Sequence, residues 1–231
     1  MKSILITGAS SGIGRATAEH FLTAGWRVGM LARRGELLEE LAADHAGAVA
    51  LPCDVTDPAA LEAAFDTFGR LDVLFNNAGM FGPSGPIDEI PVAAWEQVMM
   101  VNLHGMFLAA RLAFRQMRAQ AGGRIINNGS ISATTPRPGS VCYTTTKHAI
   151  TGLTKSLALD GRPHDIACGQ IDIGNAETPL VAALKENNPQ TETMGVRNAA
   201  QSVMHMANLP LEANVLFMTV MATKMPYVGR G

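Results

Sequence analysis

The feature that most restricts what this chain can fold into is an alternation. Short apolar runs of strand length are separated by longer amphipathic stretches of helix length. Strand-like runs fall at 3–7 (SILIT), 27–32 (RVGMLA), 48–54 (AVALPCD), 72–77 (DVLFNN), 123–128 (GRIINN), 165–173 (DIACGQIDI) and 214–220. Between them, 12–25, 35–45, 57–68, about 91–120, 141–160 and 196–208 read as helices, with Asp57 as cap and Pro58 at the first position of the third. Strands that alternate with helices form a parallel sheet covered on both faces. Right-handed crossovers make that sheet doubly wound. The pattern contains no internal repeat and no linker, so 1–231 reads as a single domain with a polar, Pro-containing segment at 175–195.

Composition fits a packed globule. The hydrophobic share is 47%, the charged share 16% and the net charge -2. No basic stripe suggests nucleic acid, and no apolar run is long enough for a transmembrane helix. The start, MKSILITGAS, lacks the long apolar core of a signal peptide. Cys53, Cys142 and Cys168 lack CxxC spacing and read as reduced thiols, which places the protein in the cytoplasm. The six histidines show no paired ligand spacing, so no metal site is expected.

The first strand empties into TGASSGIG, residues 7–14. Gly8, Gly12 and Gly14, with Ser10, Ser11 and Ile13 between them, join a strand to a helix. Glycine lets main chain approach a ligand closely, and the helix N-terminus offers free N–H groups to a phosphate. The spacing is G-x3-G-x-G; the last glycine of a G-x-G-x-x-G fingerprint would fall on Thr17. A plain tight turn is the alternative.

After the second strand comes LARRGE. In NAD-selective folds a carboxylate roughly 20 residues past the glycines meets the ribose 2′-hydroxyl. Here the places hold Ala32, Arg33 and Arg34. A guanidinium's planar fork suits phosphate, which points to a 2′-phosphate and NADP(H), with NAD(H) possible. A solvated surface pair is the competing reading.

In VCYTTTKHAI, Tyr143 and Lys147 lie four residues apart, on one face of a helix. A free phenol titrates near pH 10, and a nearby cation lowers that value. The spacing therefore suggests Tyr143 as an acid–base group tuned by Lys147. Taken alone, a packed aromatic beside a solvated cation fits as well.

The ordered set TGASSGIG (7–14), DV (54–55), NNAG (76–79), Asn102, Ser130, YTTTK (143–147) and IGNAET (173–178) resembles the short-chain dehydrogenase/reductase family over nearly the whole chain. The resemblance implies a Rossmann-type sheet of seven strands, order 3-2-1-4-5-6-7, with one nicotinamide cofactor across its C-terminal edge. It implies Asp54 and Val55 beside the adenine, and Asn76, Ala78 and Gly79 at the adenosine ribose. It places Ile173 and Thr178 on the nicotinamide side. Asn102 would hold a water leading to Lys147, Ser130 would face the substrate carbonyl, and Lys147 would also hold the nicotinamide ribose. The activity implied is NADP(H)-dependent interconversion of a carbonyl and a secondary alcohol. A cofactor-sensing protein without turnover is the alternative.

The sequence departs from the family pattern at two places. Ile173-Gly174 stands where Pro-Gly is usual, and MATKMPYVGRG ends the chain. Loops 80–86 and 131–139 and a lid at 175–195 would line an apolar substrate pocket through Met80, Phe81, Ile131, Pro138 and Leu180, with Arg137 facing an anion or solvent. Cys142, His104 and His148 read as packing residues. The resemblance implies a homodimer or homotetramer through the long helices, with Ala149, Gly152 and Ser156 permitting close approach.

Overall fold

The computed structural model describes residues 1–179, 181–182 and 192–227. Seven strands form one parallel sheet: β1 (Ser3–Thr7), β2 (Arg27–Ala32), β3 (Ala48–Pro52), β4 (Val73–Asn76), β5 (Gly123–Asn128), β6 (Ile166–Gly174) and β7 (Phe217–Met221). Their order is β3-β2-β1-β4-β5-β6-β7, so the sequence-based order stands. The order reverses between β1 and β4. In an open α/β sheet, that reversal opens a crevice at the strands' C-terminal ends.

Seven helices cover the sheet among the described residues: α1 (Gly12–Thr23), α2 (Gly35–Ala43), α3 (Pro58–Phe68), α4 (Val92–Met99), α5 (Gly105–Ala119), α6 (Val141–Gly161) and α7 (Val196–Asn208). Side chains alternate across the strands with period two. Ile4, Ile6, Val28, Met30 and Phe75 pack under α1, α2 and α7 through Phe21, Leu38 and Val203. Leu5, Leu31, Leu74 and Ile125 pack under α3 and α5 through Leu61, Phe68, Leu112 and Met117. Both faces are dry, which is why the strands read as nearly continuous apolar runs.

Helix ends follow the local chemistry. Asp57 caps α3 by accepting from the Ala59 and Ala60 N–H groups, at 3.0 and 3.1 Å, with Pro58 just inside. On β5 the buried Arg124 donates to the carbonyls of Leu209, Pro210 and Ala213, and to Asn214 Oδ1. It thereby fixes the chain entering β7.

The long helix expected over 91–120 is interrupted. Residues Met100–His104 form a π-turn between α4 and α5. The wider turn carries Asn102, whose buried side chain brackets one residue of the loop after β4. Its Oδ1 accepts from the Met80 N–H and its Nδ2 donates to the Met80 carbonyl, both at 2.8 Å. Helical periodicity does not register an extra residue in one turn, so the sequence could not reveal the break.

Candidate active site

The C-terminal ends of β1, β4, β5 and β6 surround a cavity of about 500 Å3. Gly8, Ser10, Ser11, Gly12 and Ile13 form one end of it, with Arg33 and Arg34 beside them. Tyr143, Lys147, Ile173 and Thr178 lie along its wall, and so do Asp54, Val55, Ala78 and Gly79. Residues from distant parts of the chain thus share one space. A second cavity of about 740 Å3, between α7 and β7, contains none of the candidate residues.

At the glycine end, Gly8 has φ +71°, a left-handed conformation that a side chain strains. Gly14 is required by space: a Cβ there would stand 2.2 Å from the Gly8 carbonyl oxygen. The first turn of α1 carries no carboxylate, and Ser11 makes no side-chain cap. The helix N-terminus is therefore free to meet an anion. Arg34 Nη2 donates to both Ser10 Oγ and Ser11 Oγ at 2.9 Å, so its guanidinium lies across the turn. Arg33 is exposed on the same rim.

Asp54 is held by an Asx turn in which Thr56 donates both its N–H and its hydroxyl to Oδ1, at 2.9 and 2.8 Å. Val55 is buried against Gly105. The NNAG motif divides. Asn76 points into the protein, where Nδ2 donates to the Met106 carbonyl at 2.7 Å. Asn77, which sequence reasoning passed over, lines the cavity and donates through Nδ2 to the Thr7 carbonyl at 2.9 Å.

At the other end, Tyr143 and Lys147 leave α6 on one face, as their spacing requires. Lys147 is buried, and its Nζ donates to the Asn128 carbonyl at 2.7 Å. The ammonium lies 5.4 Å from the centroid of the Tyr143 ring. The Ser130 hydroxyl accepts from the Ser132 N–H at 3.1 Å and gives a hydrogen bond to Tyr143. Phe81 meets the Tyr143 ring edge to face at 4.8 Å, and the Arg137 guanidinium sits over Phe81. Asn102 also donates to Thr146 Oγ1 at 3.2 Å and so ties the Met80 loop to α6.

The electrostatics correct the sequence-based reading. Burial raises the Tyr143 phenol above its ordinary value; the Ser130 bond and the Arg137 charge oppose this but do not reverse it. Burial also lowers Lys147 to about 8, against the opposing pull of Asp172. Helical spacing brings two groups together, but the desolvation each suffers depends on the surrounding fold.

Asp172, missed in the sequence, is the buried carboxylate of this end. It accepts from the Ser130 N–H at 2.9 Å and from Gln170 Nε2 at 2.7 Å. The signal was present: Gln170 and Asp172 are polar at alternate positions of an otherwise apolar strand, so they share a face. Gln170 is also the last member of a row of amides. Asn76, Asn127 and Gln170 are register partners across β4, β5 and β6, all buried.

The cavity fits a nicotinamide dinucleotide. A free helix N-terminus, two serine hydroxyls and two guanidiniums stand at one end, and donors to a carbonyl oxygen at the other. Between them, Asn128 Oδ1 is a buried acceptor without a partner, an orphan that a ligand N–H would satisfy. No group of three or more metal-ligating side chains occurs among the described residues. No helix there is long and apolar enough to cross a membrane.

Cys142 is a buried free thiol. His148 is exposed with Nδ1 at 3.0 Å from the Thr144 carbonyl, and His104 is exposed beside Phe107. The described part of the C-terminal tail, to Tyr227, folds back on its own chain: Met225 packs at Gly174, and the Tyr227 hydroxyl is 2.6 Å from Thr134 Oγ1. Leu180 and the middle of the expected lid, 183–191, lie outside the described residues.

Comparison with known proteins identifies the family. A family model described as short chain dehydrogenase matches residues 2–189. A 2-(R)-hydroxypropyl-CoM dehydrogenase of Xanthobacter autotrophicus is 41% identical over 187 residues, covering 76% of this chain and 75% of that one. The solved 3-ketoacyl-(acyl-carrier-protein) reductase of Brucella melitensis, complexed with NADH, superposes with a TM-score of 0.86 at 26% identity, over 95% of this chain and 96% of that one. ElxO with NADP bound gives 0.87 at 25% identity, over 95% and 97%. The chain belongs to the short-chain dehydrogenase family, and its relatives are oxidoreductases.

Proposed function

We propose, from membership of that family, that the protein is an NADP(H)-dependent oxidoreductase that interconverts a carbonyl and a secondary alcohol on a small molecule. The observation that carries the proposal is that Tyr143 and Lys147 line the cavity that also holds the glycine turn and Arg34, with Ser130 bonded to Tyr143. A bound nicotinamide supplies the hydride chemistry. Gly8, Gly12, Gly14 and the hydroxyls of Ser10 and Ser11 would receive the phosphates, and Arg33 and Arg34 the 2′-phosphate. Asp54, Val55, Ala78, Gly79, Ile173 and Thr178 shape the remainder of the cradle.

The chain's own residues handle the proton. In the reducing direction the Tyr143 hydroxyl gives its proton to the carbonyl oxygen. The Ser130 O–H, which gives a hydrogen bond to Tyr143, would turn to the substrate oxygen. It stabilises the same oxygen as charge builds there. In oxidation Tyr143 takes the proton back. The ammonium of Lys147 would favour the phenolate, and a cationic ring nearby would add to that effect. Tyr143 would therefore be an acid–base group that burial holds protonated and that a cationic ring nearby would activate.

The relatives include structures with NADH and with NADP, so selectivity rests on Arg33 and Arg34 and on the lack of a carboxylate beside them. Paired titration with NADPH and NADH tests this. Tighter NADPH binding that falls by roughly tenfold or more in Arg34→Ala, with NADH unchanged, is the expected result. Equal affinity for the two removes the phosphate reading. Cofactor binding without turnover on any of a panel of ketones and secondary alcohols would favour a sensor. We further propose a cytoplasmic homodimer or homotetramer, which light scattering would disprove by finding a monomer.

A further inference from the structure

We propose that Asp172 is a positioning residue of this site: its buried carboxylate anchors the Ser130 main chain and serves as the counter-charge of Lys147. The inference rests on Ser130 and Lys147 being site residues.

Lys147 and Asp172 grip the same short segment from opposite ends. Lys147 Nζ holds the Asn128 carbonyl at 2.7 Å, and Asp172 Oδ1 holds the Ser130 N–H at 2.9 Å. Between them the Gly129 N–H donates to the Ile171 carbonyl at 2.9 Å. A Cβ on Gly129 would lie 2.1 Å from Asp172 Oδ1, so the carboxylate occupies the space that a side chain would otherwise fill. The segment Asn128-Gly129-Ser130 therefore depends on an acceptor side chain at 172.

That group is itself held. Gln170 Nε2 donates to Asp172 Oδ1 at 2.7 Å and to Thr151 Oγ1 at 3.2 Å, which ties β6 to α6. The Thr154 hydroxyl donates to Gln170 Oε1 at 3.3 Å, and Asn127 Nδ2 donates to Thr154 Oγ1 at 2.9 Å. A buried carboxylate with this much support is costly to desolvate, and such groups persist where charge is needed.

The charged and titratable groups facing this position are few among the described residues. Tyr143 and Lys147 come from α6, Arg137 comes from the loop before it, and Asp172 comes from β6. Asp172 favours the ammonium of Lys147 and opposes the phenolate of Tyr143. It therefore works against the burial that disfavours the charge of Lys147, and adds to the burial that keeps Tyr143 protonated.

The test uses the protein alone, so its outcome is separate from that of the oxidoreductase proposal. Lysines are labelled isotopically at the ε carbon, and Lys147, assigned by Lys147→Arg, is followed by NMR through its titration near pH 8. In Asp172→Asn, which keeps an acceptor for Ser130 and removes only the charge, the midpoint should move down by roughly one unit. Asp172→Ser, a smaller neutral side chain, should move it the same way. In the unaltered protein, the Ser130 amide resonance should follow the Lys147 transition. A Lys147 midpoint unchanged by either substitution, or a Ser130 amide blind to the transition, would overturn the proposal. A merely structural Asp172 would alter stability and leave the midpoint in place.

Discussion

The two ends of the cavity are built by opposite means. The glycine end is one contiguous stretch, 7–14, joined by Arg34 from the next strand, and its work is done by main chain and a helix terminus. The Tyr143 end draws on β5, β6, α6 and the turn after β5, and is held together by buried side chains in a hydrogen-bonded row. The first tolerates solvent and needs space. The second needs charge kept in a dry place. Removing an atom should therefore damage the second end, and adding one should damage the first.

The largest expected effect tests the second end. Tyr143→Phe keeps the ring against Phe81 and removes the acid. Turnover should fall by roughly 10²–10⁴-fold while cofactor affinity holds, as steady-state rates and fluorescence titration would show. Unchanged turnover would mean that the proton comes from elsewhere.

Adding atoms probes the first end. Gly14→Ala forces a Cβ against the Gly8 carbonyl, and denaturant unfolding should record a loss of about 1–3 kcal/mol together with weaker cofactor binding. Gly195→Ala is the matched control. No atom stands near its Cβ and its φ is -60°, so the change should stay within about 1 kcal/mol. Equal effects would remove the claim that close approach fixes the turn.

Alkaline pH reads the dryness of the core beneath the second end. Burial raises the Cys168 thiol to about 12, whereas an unfolded thiol titrates near 8.5. The folded state then holds a proton that the unfolded state releases. Its contribution to stability is complete below about pH 8.5 and declines as pH rises from there, by about 1.4 kcal/mol per unit. Cys168→Ala should flatten the loss of stability between pH 9 and 10.5 by roughly that slope, measured by denaturant unfolding at each pH. An unaltered slope would mean that the thiol is wet.

The smallest effect lies outside both ends. Arg115 and Glu62 pair at 2.7 Å on the surface between α5 and α3, with both side chains about half exposed. Arg115→Ala should change stability by less than about 1 kcal/mol.

Much of this molecule was legible in its residues. Strand and helix periods differ, so the apolar runs located all seven strands to within a few residues and gave the helix order. The glycine turn was legible because its chemistry is local: residues adjacent in sequence stay adjacent in space. The Tyr143–Lys147 pair was legible as a helical spacing, and the family resemblance tied it to Ser130 and Asn102. Asp172 carried a faint signal, one charge inside a buried strand, but nothing in the sequence said which loop it would meet.

What the sequence determined by itself, then, was the α/β sheet, the glycine turn between β1 and α1 and the Tyr143–Lys147 spacing. Tertiary structure alone decided their states. It turned Asn76 inward and Asn77 toward the cavity, inserted the π-turn that lets Asn102 clasp Met80, and set Asp172 against Ser130. It also reversed the expected shift of Tyr143, because desolvation is the sum of every atom packed around a group, and those atoms come from parts of the chain that only folding brings together.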